Sequence, residues 1–243
     1  MKRIVVGFAL LALLVGLVTA AQGATARDQQ VAAQMATEYL QELLQQIKFA
    51  QEVDMEQLLS ELRPIVIPEG LIEVGSYYSL YYKDDPAYAS VGHAYHTMGW
   101  YSETLTCGAL YPLVYGVRYR PCNLTQDYSA SSPYGIGSIG WKVQIPNAFG
   151  AVGFWLNMPY GPTGSNINVG GHYFTNPSRN WDGQPHAFIW YFQLPFPVVL
   201  LVTCDGSPTP TTMTVHEVYV ITWEDWCGGG DHDWNDFLMA LFH

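Results

Sequence analysis

HAFIWYFQL (186–194), VVLLVTC (198–204), TVHEVYVIT (214–222) and FLMALF (237–242) are apolar runs crowded with β-branched and aromatic residues. Runs of this kind between turn-forming residues read as separate strands. IGWKVQI (139–145) and GAVGFWL (150–156) have the same character. Tyr77, Tyr78, Tyr81 and Tyr82 mark a further strand or an aromatic surface. Turn formers interrupt the chain at Lys83-Asp84-Asp85-Pro86, Ser131-Ser132-Pro133, Tyr160-Gly161-Pro162 and Asp205-Gly206-Ser207-Pro208. Beyond Pro64 no helical period of useful length is present. Many short strands with frequent turns predict a mainly β domain over 65–243, an antiparallel β-sandwich or jelly roll.

The residues before it differ in texture. Between Ala24 and Arg63 there is neither Gly nor Pro, and Ala, Gln, Glu and Leu, all good helix formers, dominate. Val31, Met35, Tyr39, Leu43 and Ile47 recur every fourth residue, with Ala32, Ala36, Leu40 and Leu44 beside them. This is a helical stripe. A second short helix is expected from Asp54, whose side chain can cap, with Gln57 three residues on and Pro64 as the stop. A short α-helical segment over 24–64 is therefore predicted, its stripe packed on its own domain. The sharper alternative docks the stripe into a neighbouring subunit.

Residues 1–23 have the layout of a secretory signal peptide. Lys2 and Arg3 precede the uncharged run IVVGFALLALLVGLV (4–18), and small residues follow around Ala20 and Ala21. The apolar run is short for a permanent span of a ~30 Å hydrocarbon core. Export to the extracellular space or cell surface is expected, with the periplasm as a further destination. Loss of Lys2 and Arg3 takes the net charge from −11 to −13. Such a balance disfavours nucleic acid and favours cations. In an oxidising compartment the even set Cys107, Cys122, Cys204 and Cys227 reads as two disulfides. Three connectivities exist; proximity in sequence favours Cys107–Cys122 with Cys204–Cys227. The rival, a Cys₄ zinc site, lacks any C-x₂-C pair.

Charge is distributed unevenly. No Lys or Arg follows Arg179, and 180–243 carry Asp182, Asp205, Glu217, Glu224, Asp225, Asp231, Asp233 and Asp236. Five of these fall within 224–236, interleaved with Trp223, Trp226, Trp234 and Phe237, which favour burial. Carboxylates held this close to a core call for a countercharge. Ca²⁺ takes six to eight oxygens at ~2.3–2.6 Å from Asp, Glu, Asn and main-chain carbonyls. Asp231, Asp233 and Asn235 alternate, so an extended loop points them to one side. Gly228, Gly229 and Gly230 allow sharp turns and offer carbonyls. Mg²⁺ suits the site less, because it retains water and demands a stricter octahedron. The D-x-D-x-N start resembles an EF-hand, but Asp236 stands where that loop needs Gly and Phe242 where it needs Glu. The bland alternative is a hydrated acidic turn without metal.

Glu224-Asp225, a glycine run, and Asp231-x-Asp233-aromatic-Asn235-Asp236 before a final apolar strand resemble the C-terminal signature of domain-of-unknown-function family 4114. The upstream Asn180-Trp181-Asp182-Gly183-Gln184-Pro185-His186 is similar to that family's N-x-D-G-x-x-H segment. The resemblance covers about residues 135–243. It implies an exported bacterial β-rich domain with a calcium role. The implied ligands are Glu224, Asp225, Asp231, Asp233, Asn235 and Asp236, with Asp182 and His186 from the second segment. Trp226 and Cys227, inserted between the two acidic groups, depart from the pattern. The helical region 27–63 has no counterpart in it.

Other constellations carry less. His93 and His96 stand three apart, a spacing that puts them on opposite sides of a strand; zinc or copper binding there is the weaker reading beside two unrelated histidines. Paired carboxylates for glycoside hydrolysis sit on facing strands ~5–10 Å apart, whereas these acids crowd one loop. No G-x-S-x-G or H-E-x-x-H occurs, and a non-enzyme is expected. Tyr77 to Tyr82, Trp100, Tyr101, Trp155, Tyr160 and Trp181 are available to stack sugars or to fill a core. The reading is an exported calcium-binding structural or adhesive protein that self-associates or engages a surface partner, protein or glycan. The alternative is a calcium-dependent carbohydrate-binding module.

Overall fold

The computed structural model describes residues 26–73, 78–84, 97–102, 110–114, 122–123, 139–143, 150–157, 172–180, 182–204, 210–224 and 232–243. The signal-peptide reading, Cys107, Cys227, His93, His96, Asp225 and Asp231 lie outside them. Among the described residues a helix over 26–46 (α1) and a second over Met55–Ser60 (α2) precede twelve strands. These are β1 (Ile65–Ile67), β2 (Ile72–Glu73), β3 (Tyr78–Asp84), β4 (Thr97–Ser102), β5 (Leu110–Val114) and β6 (Cys122–Asn123). There follow β7 (Ile139–Val143), β8 (Ala151–Asn157), β9 (Tyr173–Phe174), β10 (Ala187–Cys204), β11 (Thr211–Trp223) and β12 (Phe237–Phe242). Asp54 caps α2 as its position predicts, its Oδ1 accepting from Gln57 N at 3.0 Å.

The mainly β, antiparallel, sandwich-like architecture matches the expectation. A seven-stranded sheet runs β1-β10-β11-β12-β3-β7-β6, and a five-stranded sheet joins β2-β8-β4-β5 with β9 on β8. Neighbouring strands in both are antiparallel. The large sheet is covered on both faces at β12. Along β12, Leu238, Ala240 and Phe242 enter a core with Ala32, Ala36, Leu40, Leu43 and Leu44 of α1. The alternate residues Phe237, Met239 and Leu241 enter a second core with Val152, Phe154, Leu156 and Trp100 of the smaller sheet. All six β12 residues are therefore buried, which explains why that run shows no polar alternation. The stripe of α1 covers its own sheet. Among the described residues no helix is long and apolar enough to cross a membrane.

One expectation is corrected. The runs 186–194 and 198–204 form a single strand, β10, that passes through Pro195 and Pro197. Its pairing with β11 breaks register between Gln193 and Val198. Proline lacks an N–H for the ladder, so the irregularity falls where the prolines stand. Beyond β11, the other edge of β10 takes three short segments in turn. β1 pairs at 189–191, Lys48 to Ala50 bond to 199–201, and β6 pairs at 203–204. Because β6 also pairs with β7, the ladder β10-β11-β12-β3-β7-β6 returns to β10.

Candidate metal centre

The site is built where β10 begins, β11 ends and β12 begins. Ala187 pairs with Trp223, and Trp223 with Phe237. The residues just outside these pairs are His186, Glu224 and Asp236, which therefore line up across one end of the large sheet. All three are buried: His186 is 0% exposed, Glu224 1% and Asp236 6%. Glu224 follows β11 and Asp236 precedes β12, each one residue beyond the last ladder pair Trp223–Phe237.

His186 is held at every point. Glu224 N donates to His186 O at 3.0 Å, and the His186 Nδ1 stands 3.1 Å from Glu224 O. Its Nε2 lies 2.9 Å from Asp182 Oδ2. Tyr173 stacks on the ring with centroids 3.8 Å apart. Each ring nitrogen thus stands within hydrogen-bond distance of an oxygen, its role set by the tautomer. The histidine thereby ties the turn before β10 to the end of β11, and Asp182 braces it.

The rest of 180–186 is a supported turn. Asn180 Oδ1 accepts from Phe174 N at 2.8 Å, and its Nδ2 donates to Gln184 O at 2.8 Å. Gly183 has φ +67°, the left-handed region that favours glycine. Gln184 N donates to Asp182 Oδ1 at 3.0 Å. Partial burial of Asp182 opposes its ionisation, but the bonds from His186 and Gln184 outweigh it and lower the carboxyl pKa. A lowered carboxyl adds stability above the unfolded pKa of ~3.9, lost as pH falls through the folded value. Asp182→Asn is accordingly expected to flatten the acid limb of a plot of Tm against pH. An unchanged acid limb refutes this role for the carboxylate.

The segment before β12 departs from an extended loop. His232 and Trp234 have φ of 60° and 59°, so the chain curls instead of alternating. The reason lies in the core: Trp234, 1% exposed, packs beside the helices with its ring 4.5 Å from that of Phe188. The curl brings Asp233 and Asn235 together. Asn235 N donates to Asp233 Oδ1 at 3.2 Å and its Nδ2 to Asp233 Oδ2 at 2.7 Å. With the amide nitrogen fixed on the carboxylate, Asn235 Oδ1 points elsewhere; it is buried and has no hydrogen-bond partner among the described residues. His232 Nδ1 lies 3.3 Å from Asp28 Oδ1, linking this segment to the start of α1. Nothing in the sequence signals that link, because Asp28 belongs to a helix some two hundred residues upstream.

Among the described residues no three His, Cys, Asp or Glu side chains converge to hold a metal ion. The structure does join Asp182, His186 and the Glu224 main chain, and pairs Asp233 with Asn235. An orphaned buried amide oxygen within a set of Asp, Glu and Asn donors fits a hard cation. Of the aromatic residues considered for sugar stacking, Trp100, Tyr101 and Trp155 are 6%, 1% and 4% exposed, and so belong to packing. The Tyr101 ring carries the Arg179 guanidinium 4.4 Å above it. No known family model and no curated protein matches the chain.

Proposed function

We propose that the chain is an exported calcium-binding structural or adhesive protein, a subunit of an extracellular or cell-surface assembly. The observation that carries the calcium reading is the set of buried polar residues flanking the β11–β12 connection. Glu224 and Asp236, one residue beyond the last ladder pair, are both buried, and the Oδ1 of the adjacent Asn235 accepts no hydrogen bond among the described residues. Glu224, Asp233, Asn235 and Asp236 would hold the ion, with Asp225 and Asp231 from the linking segment. The likeness to family 4114 points to the same residues. When bound, the cation would supply positive charge to a segment in which no Lys or Arg follows Arg179 in sequence. Since α1 packs on its own sheet, the assembly reading rests on acidic loops bridged between copies, on low charge content and on abundant tyrosine.

The test is light scattering with a parallel thermal melt, in EDTA and in millimolar Ca²⁺. At a free concentration a hundred times Kd the ion stabilises the fold by ~2.7 kcal/mol. For a chain of this size that corresponds to a rise in Tm of roughly 5–10 °C. Large particles appearing with the higher Tm support calcium-gated assembly. A higher Tm at unchanged size favours a monomeric carbohydrate-binding module, to be checked on a glycan array. No response removes the calcium reading. Asp233→Ala is expected to abolish most of the calcium-dependent rise; a variant that keeps all of it refutes the ligand assignment.

A further inference from the structure

We propose that Cys122 and Cys204 form a disulfide across β6 and β10, locking shut the ring of strands in the large sheet. Neighbours in sequence suggest a different pairing, Cys107 with Cys122. The sheet instead sets Cys204 directly opposite Cys122, with Thr203 opposite Asn123. Opposed residues of an antiparallel ladder share a face, with Cα atoms ~4.5 or ~5.5 Å apart according to their hydrogen bonding. Both separations fall inside the ~4.4–6.8 Å that a disulfide spans. On its other side Cys122 opposes Gly140 of β7.

The position also explains why a covalent link is useful there. β6 contains two residues, yet it is the strand through which the ladder returns to β10. So short a strand has few main-chain bonds to hold it against fraying. A cross-link at this point closes a loop of about 80 residues, and such a loop restricts the unfolded chain substantially.

Formation requires a disulfide-bearing oxidant, either a low-molecular-weight disulfide or an oxidoreductase. One thiol loses its proton, and the thiolate attacks a sulfur of the oxidant to give a mixed disulfide and one released thiolate. The second cysteine, deprotonated in turn, attacks the protein sulfur of that mixed disulfide and expels the other half of the oxidant. The two cysteines lose two electrons and two protons, and the oxidant leaves as two thiols.

The proposal is independent of calcium and is tested on the full chain equilibrated with reduced and oxidised glutathione. Free thiols are alkylated and the protein is digested without reduction. Chymotrypsin is the suitable protease, because no Lys or Arg separates Cys204 from Cys227. The expected result is a linked pair of peptides containing Cys122 and Cys204. Linkage of either cysteine to Cys107 or Cys227, or alkylation of both, overturns the proposal. In a Cys107→Ala/Cys227→Ala background, reductant is expected to lower Tm by about 10 °C. An insensitive Tm in that background also overturns it.

Discussion

Trp234→Ala is expected to lower Tm by about 10 °C, through a loss of roughly 3–5 kcal/mol. The indole is 1% exposed and fills a core shared by α1 and the outer face of the large sheet. It reaches that core by curling the acidic segment through two left-handed residues, His232 and Trp234 itself. For residues other than glycine, each such conformation costs about 1–2 kcal/mol. Burial of the indole, with its ~150–250 Å² of surface, offsets that strain. Removal of the ring leaves a cavity beneath α1 and takes away the reason for the curl. The variant should therefore lose calcium-dependent stabilisation together with basal stability, although Trp234 is not a ligand. Trp234→Phe should recover most of the melting temperature. A Trp234→Ala protein that melts within 2–3 °C of wild type would show that the loop packs independently of the helices.

Gly70→Ala is expected to cost about 3 kcal/mol, and to lower Tm by roughly 6–12 °C. Gly70 stands in the turn between β1 and β2, where the chain leaves the large sheet for the small one. Its φ is +61°, and a Cβ there would lie 2.0 Å from the main-chain oxygen of Thr175. That oxygen cannot rotate away. The Thr175 hydroxyl donates to Gly70 O at 2.6 Å and accepts from Phe154 N at 2.9 Å, and Thr175 N donates to Phe154 O at 2.9 Å. The corner is thus fastened to the smaller sheet through one buried threonine. Gly183→Ala is the matched control: its φ is +67°, but nothing lies within 4 Å of the added Cβ. It should cost only the conformational term, about 1 kcal/mol. Equal losses in the two variants would refute the steric account of Gly70.

The candidate site was legible to different depths. Glu224, Asp233, Asn235 and Asp236 stand out in the chain because acids without cations among tryptophans conflict with ordinary burial. Their arrangement did not follow from spacing. Alternation of Asp231, Asp233 and Asn235 implied an extended loop, whereas the demand of Trp234 for a core bends 232–235 into a curl. Asp182 and His186 entered only through a resemblance. Their hydrogen bonds to each other and to Glu224 arise because β10 and β11 pair in one particular register, thirty-eight residues apart in sequence.

By itself the sequence determined what depends on near neighbours. The four-residue stripe of α1, the Asp54 cap, the β character after Pro64 and the strands β7, β8, β11 and β12 all follow from local pattern and propensity. Tertiary structure decided what depends on which surfaces meet. FLMALF has no alternation because helices cover one of its faces and a second sheet the other. Pro195 and Pro197 interrupt the β10 ladder without ending the strand, because β11 pairs with it on both sides of the break. The residue opposite Cys122 in the ladder is set by the strand that lies beside β6, not by the nearest cysteine. Periodicity records how one segment divides its residues between two faces; register is fixed only when those faces are buried against others, and that is a property of the whole chain.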